Sequence, residues 1–330
     1  MANIKRIAVL IDQLNQANLP YAVLQDLEAQ AEAITTHSST SIEGNPLPLT
    51  EVKKILKNKP EHIRDTEQEV LNYNQALSYL KKQTNKTLNQ KFILEIQAMV
   101  MKGLLPKAKL GKLRKEPVLV NNPKTDQTIY WPPDHQDLSM LIKELIDWTK
   151  KNLSELDPII LAGIFHKQFV IIHPFIDGNG RMTRLITQHL LANMGLNTFG
   201  IFSFENYYNR NLSKYFQKVG VLANYYDLVD EIDFTEWLEY FSDGIIDELI
   251  RVADIVKQQR IGPDQELQKH HKKLLNYIDK HGYITDKLYS SLTDRAKATR
   301  SLDFKKLIEL GIIRRCAQGK NTYYQRVDDA

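Results

Sequence analysis

Apolar residues recur at three- and four-residue intervals along most of this chain, a period that predicts helices. Leu24, Leu27, Ala31 and Ile34 form one such stripe, so residues 1 to about 36 read as helical, ended by a Ser/Thr cluster and then by Gly44, Pro46 and Pro48. Helical patterns resume over 48–57, over 63–82 with Val70, Tyr73, Ala76, Leu77 and Leu80 on one face, and over 88–105. They return at 136–151 and at 158–172, where Leu161, Phe165, Phe169 and Ile172 face inward. Asp233 and Glu236 read as a capping box that opens a helix running to about Val256. The period changes between 117 and 131: two short runs, Val118 to Val120 and Thr128 to Trp131, flank a polar turn and predict a β-hairpin. The fold class is mainly α.

Three more amphipathic segments follow at 271–281, 284–289 and 294–310, the last with Ala298, Leu302, Leu307 and Ile308 inward, and two short strands close the chain at 311–315 and 321–325. Three helices and a terminal hairpin make a winged helix. Gly262-Pro263 marks a linker at 257–265. The expected organisation is an N-terminal helical segment over 1–60, a catalytic core over 61–256 with the hairpin as a flap at about 117–131, the linker, and a winged-helix domain over 266–330.

Length and composition bound the function. With 330 residues, 42% hydrophobic and 25% charged, the chain is long enough for about two folded domains. Its longest apolar stretches, around Ile159 to Phe165 and Phe169 to Ile172, fall far short of the ~18 residues of a membrane span, which argues against a membrane partner. Asp12 and Gln13 break the apolar N-terminus too early for a signal peptide, and the lone Cys316 permits no internal disulfide; both point to the cytoplasm. Residues 260–330 carry 15 Lys and Arg against 9 Asp and Glu, whereas the rest of the chain has 29 against 31. Arg295, Lys297 and Arg300 would project from the start of the third tail helix, where helix-turn-helix proteins meet DNA. The excess is modest, so contacts with protein, including a homodimer, are favoured over DNA.

Residues 173–184 read His-Pro-Phe-Ile-Asp-Gly-Asn-Gly-Arg-Met-Thr-Arg. Gly178 and Gly180 let the backbone come close to a ligand, and Asn179 tolerates the left-handed region. The helix that follows, with Met182, Leu185, Ile186, Leu190 and Met194 on one stripe, points its N-terminus at whatever the loop holds. Free N–H groups and the helix dipole suit an anion, and Arg181 and Arg184 add guanidinium forks that fit phosphate oxygens. Asp177, the one acid of the loop, suits Mg²⁺ beside those phosphates. His173 is left to act as a base.

This string resembles the Fic family pattern His-x-Phe-x-(Asp or Glu)-Gly-Asn-Gly-Arg-x-x-Arg at every fixed position. The resemblance implies a helical Fic core that transfers AMP from ATP to a Ser, Thr or Tyr hydroxyl of a protein, self-modification included. It implies that His173 deprotonates the hydroxyl, that Asp177 carries Mg²⁺, and that ATP is bound along Gly178, Asn179, Gly180, Arg181, Met182, Thr183 and Arg184. Upstream, Ser39-Thr-Ser-Ile-Glu43-Gly44 matches the family's inhibitory pattern, in which the glutamate pairs with the second motif arginine, here Arg184. Such a chain would restrain itself, with Ser39 and Glu43 as the inhibitory residues.

Tyr215-Phe216 stands where the family commonly has a Tyr-Tyr pair near adenine, and reads equally as an ordinary buried helix face. The flap offers a strand edge onto which a target segment could add, or closes a gap between helices. Lys112 and Arg114 beside it read as solvated cations, and His166 as a structural histidine. Two other functions share these residues: removal of AMP or transfer of another phosphate-linked group by the same site, and a DNA-binding regulator that senses ATP.

Overall fold

The computed structural model describes residues 2–15, 21–83, 86–121, 125, 127–196, 201, 203–260, 267–317, 319 and 322–327, with the backbone alone at 21–23 and 258–260. The chain divides into two compact units, Met1–Leu14 with Glu28–Val252 and Asn15–Leu27 with Ala253–Ala330. In chain order the helices up to the loop motif are α1 (Ala2–Asn15), α2 (Tyr21–Ile42), α3 (Leu49–Lys57), α4 (Asp65–Lys81), α5 (Gln90–Val100), α6 (Leu138–Asn152), α7 (Pro158–Ile172) and α8 (Asn179–Asn193).

The core of the larger unit forms where α4 to α8 turn their apolar stripes together, with Phe92, Ile96, Ile142, Phe165, Phe169, Phe175, Met182 and Leu185 all buried. Sequence chemistry sets the ends of α7. Asp157 caps it by accepting from Ile159 N, and Pro158 begins it with a φ already helical. At its far end His173 takes the left-handed conformation, φ 50° and ψ 58°, which terminates the helix and turns the chain into the loop. Gly178, at φ 84°, then opens α8. A non-glycine residue in this region is strained by about 1 kcal/mol, and the strain falls on the motif histidine.

The Ser/Thr cluster does not end the first helical region. α2 runs through it to Ile42, with Thr35, Thr36, Ser38, Ser39 and Thr40 buried. Thr40 Oγ1 donates back to Thr36 O at 2.9 Å, so its hydroxyl is satisfied inside the helix. The stop comes at Gly44, whose φ of 94° suits glycine.

The hairpin is present as β1 (Val120–Asn121) and β2 (Thr128–Trp131), paired antiparallel; most of its turn lies outside the described residues. After α9 (Phe204–Arg210) and α10 (Leu212–Val219) comes β3 (Ala223–Asn224), which pairs in parallel with Tyr130 and Trp131, so β2 is the middle strand. α11 (Tyr225–Leu228) and α12 (Thr235–Arg260) follow. The expected capping box is replaced by two separate bonds. Asp233 Oδ1 accepts from Thr235 N, while Glu236 pairs with Lys218 Nζ at 2.7 Å.

The proposed linker lies partly in α12, which reaches Arg260, and otherwise outside the described residues. In the smaller unit α13 (Lys269–His281), α14 (Asp286–Leu292) and α15 (Lys297–Glu309) pack on the hairpin β4 (Ile313–Cys316) and β5 (Tyr323–Arg326). The inward face of α15 differs from the expected one. Asp303, Phe304 and Leu307 are buried, whereas Ala298, Leu302 and Ile308 are exposed. The Phe304 ring stacks on Tyr324 at 3.9 Å and Tyr289 Oη donates to Asp303, which rotates that face inward. Arg295 and Arg300 do not project freely, since they pair with Asp303 and Asp286; Lys297 remains exposed.

Candidate active site

The loop between α7 and α8 is braced from within. Asn179 Oδ1 accepts from Phe175 N and Asn179 Nδ2 donates to Phe175 O, both at 2.9 Å, so this side chain shapes the loop, while a β-carbon on Gly178 would strike Met101 Sδ. Met182 is wholly buried in the core, and Thr183 Oγ1 donates to Asn179 O. Their side chains hold α8, and Met182 N already donates to Gly178 O at 2.9 Å; a ligand at the helix start would meet the N–H groups of the residues before Met182.

His173 is oriented by its own helix. Its Nδ1 lies 3.2 Å from Val170 O, which makes Nδ1 the protonated nitrogen and leaves Nε2 with a lone pair. Burial lowers the pKa of the ring to about 4, partly offset by the Val170 carbonyl, so the imidazole is neutral at neutral pH and able to accept a proton. Arg114 is not a solvated cation. Only 5% exposed, it donates from Nε to His173 O at 2.9 Å, from Nη1 to Glu116 O and from Nη2 to Pro133 O, tying the base of the hairpin to the motif histidine.

The two motif arginines each meet a carboxylate. Arg184 is fully buried: Nε donates to Ser39 Oγ at 2.7 Å, Nη2 to Ser39 O at 2.9 Å and to Glu43 Oε1 at 2.8 Å, and Nη1 approaches Tyr215 Oη at 3.5 Å. A β-carbon on Gly180 would collide with Glu43 Oε1, so the carboxylate rests on the first turn of α8, over the N–H groups of its N-terminus. Burial alone would raise the pKa of Glu43, but Arg184 and Arg181 outweigh it and hold the carboxyl below its usual value. Burial alone would lower the pKa of Arg184, but Glu43, Tyr215 and Tyr73 together outweigh it and hold the guanidinium above its usual value.

Arg181 donates from Nη1 to Glu69 Oε1 at 2.6 Å and from Nη2 to Asp177 Oδ1 at 2.9 Å. Asp177 is exposed at the loop tip, and Oδ1 also accepts from Gly178 N. One exposed carboxylate beside an anion cradle fits Mg²⁺, which takes one or two carboxylates together with phosphate oxygens and waters.

The comparisons with known proteins point the same way. The Fic/DOC family model matches residues 87–191, which include the whole motif. Residues 87–191 are thus similar to a Fic domain. Protein adenylyltransferase Fic from Drosophila erecta is 30% identical over 194 residues, 56% of this chain and 37% of that protein. Its counterpart from Drosophila willistoni is 32% identical over 179 residues, 51% of this chain and 34% of that one. The chain therefore spans about a third of the length of these curated relatives. The fold agrees with the crystal structure of a Fic family protein from Desulfovibrio desulfuricans, with a TM-score of 0.66 at 19% identity over 100% of this chain and 97% of that one.

Several residues around the Fic motif escaped the sequence reading. Glu69, on α4, carries no local signal that it meets an arginine 112 positions away. Asn45 joins it to the turn that ends α2, donating to Glu69 Oε2 at 2.6 Å and to Thr66 O at 2.9 Å. Glu205, behind the motif, is fully buried; its Oε2 accepts from Ser203 and Gln188, and its Oε1 has no hydrogen-bond partner among the described residues. Burial raises its pKa to about 7. Tyr215 is buried and stacked on Tyr208 at 4.8 Å, with its hydroxyl toward Arg184, while Phe216 is 44% exposed. Of the pair, Phe216 is the ring with a face open to a base.

Proposed function

We propose that this chain is a protein adenylyltransferase held in check by Glu43. The observation that carries the reading is the seat of the Glu43 carboxylate, on Arg184 and over the N-terminus of α8, where a phosphate would bind. With Glu43 withdrawn, Arg181, Arg184 and the backbone of Gly178 and Gly180 would hold the phosphates of ATP. Asp177 would carry Mg²⁺, which supplies charge neutralisation on those phosphates. His173 Nε2 would take the proton of a Ser, Thr or Tyr hydroxyl as its oxygen bonds to the α-phosphorus and the bond to diphosphate breaks. General-base help of this kind is worth roughly 10² to 10⁴ in rate.

The target segment would reach His173 along the hairpin. β2 is paired on both sides, so an added strand would pair with the outer edge of β1, the other strand of the hairpin, or of β3. For the smaller unit, read as a winged helix, the pairing of Arg295 and Arg300 with acids favours a protein contact, including a second copy of this chain, over DNA. No described helix is long and apolar enough to cross a membrane, and the free Cys316 agrees with a reducing, cytoplasmic setting.

Mass spectrometry of a lysate incubated with ATP and the Glu43→Gly chain tests the reading. AMP adducts on hydroxyl side chains, lost with Glu43→Gly/His173→Ala, are expected; their absence from every protein, this chain included, would overturn it.

A further inference from the structure

His166 lies seven residues before His173 and is wholly buried. Its ring packs against Trp237 at 4.9 Å and is surrounded by Phe204, Tyr208 and Phe241. A polar ring in such a place needs a partner at each nitrogen, and it has both. Nδ1 lies 3.1 Å from Thr187 Oγ1 and Nε2 lies 3.3 Å from Tyr215 Oη. Thr187 donates its own proton to Thr183 O at 2.7 Å, so toward His166 it accepts. That fixes the tautomer with the proton on Nδ1 and a lone pair on Nε2. Tyr215 then donates to Nε2 and turns its oxygen lone pairs to Arg184 Nη1. Burial and the positive charge of Arg184 both push the pKa of His166 well down, so the ring stays neutral.

The direction of this chain matters because of where the other partners of Arg184 lie. Among the described residues they are Ser39 and Glu43, on α2 and the turn that ends it. If α2 shifts when Glu43 is withdrawn, those bonds are the ones at risk. Tyr215, on α10, and His166, on α7, belong to the scaffold around the motif helix. We propose that His166, acting through the Tyr215 hydroxyl, is a positioning residue that keeps the Arg184 guanidinium in its phosphate-binding place once Glu43 has left. The proposal rests on the reading of Arg184 as a phosphate ligand.

The test uses the full chain carrying Glu43→Gly, alone and with His166→Leu, His166→Gln or Tyr215→Phe. Calorimetry gives the affinity for a non-hydrolysable ATP analogue and for AMP, which lacks the phosphates Arg184 would hold. His166→Leu and Tyr215→Phe are expected to weaken the triphosphate by about tenfold, the scale of losing an orienting partner. AMP affinity should stay within about twofold, and the Gln amide, which can both donate to Thr187 and accept from Tyr215, should restore most of the loss. Equal losses for both nucleotides, or none, would overturn the proposal, and Tyr215→Phe decides it if His166→Leu fails to fold. Imidazole ¹⁵N shifts of the unliganded wild-type chain read the relay without nucleotide: a proton on Nδ1 and a bare Nε2 support it, and the reverse tautomer overturns it. A Glu43→Gly parent that binds neither nucleotide would instead overturn the phosphate reading of Arg184, and with it the role given to the relay.

Discussion

Glu43 Oε1 lies 2.8 Å from Arg184 Nη2, and a methyl group placed on Gly180 would strike that same oxygen. One carboxylate oxygen thus meets both the guanidinium and the start of the motif helix, the two features that make the loop an anion site. Charge-assisted bonds of this kind contribute roughly 1.5–3 kcal/mol each. Replacing Glu43 by Gly should therefore tighten ATP binding at least tenfold, measured by calorimetry on the full chain; unchanged affinity would show that the carboxylate and the nucleotide do not compete.

Asn45 fastens the turn that carries Glu43 to α4 through Thr66 O and Glu69. Asn45→Ala removes both bonds without touching Glu43 or Arg184. AMP incorporation should rise several-fold, by less than in Glu43→Gly, and adding Asn45→Ala to Glu43→Gly should change nothing further. A rise on top of Glu43→Gly would mean that Asn45 acts by another route.

The ring of His173 is held at about 4, below its ordinary value near 6.5, so the folded chain keeps this ring unprotonated down to mildly acid pH. In the Glu43→Gly chain the acid limb of kcat/KM for ATP, which reports the free enzyme, should fall below pH 5. Glu43 is one of the charges that raises this pKa, so its removal moves the limb further down. An apparent pKa near 6.5 would contradict the buried, neutral base.

Glu205 is a buried carboxyl raised to about 7, with one oxygen unpartnered. Between its unfolded value near 4.5 and 7 the folded chain holds the extra proton, so the cost of ionising Glu205 grows as pH rises and is complete above 7. Glu205→Gln should raise the melting temperature by roughly 2–4 °C at pH 8 and by less at pH 5. An equal gain at both pH values would remove ionisation as the cause.

Much of this was legible because it is local. The period of α7, the short β run of Thr128 to Trp131 and the twelve-residue motif all lie within a turn or two of chain, where spacing encodes structure. The pairing of Arg184 with Glu43 was legible only through the family pattern, since 141 positions separate them. What escaped was set by tertiary contact. The Ser/Thr run of α2 looks like a helix stop until the buried Thr40 hydroxyl is seen to bond back onto the helix and Ser39 to meet Arg184, and β3 is too short to read before Tyr130 pairs with it. Arg114 looked solvated because nothing nearby in sequence marks the carbonyl of His173 as its partner. On α15, Leu302 and Ile308 promised an inward face that Phe304 and Asp303 took instead.

ATP labelled at the α-phosphate or at the γ-phosphate, incubated with the Glu43→Gly chain and an accepting lysate, separates AMP transfer from every other use of the site. Label from the α position should remain on protein, label from the γ position should not, wild type should incorporate far less, and His173→Ala in the Glu43→Gly background should incorporate none. Retention of the γ label, or α label that survives His173→Ala, would contradict the mechanism.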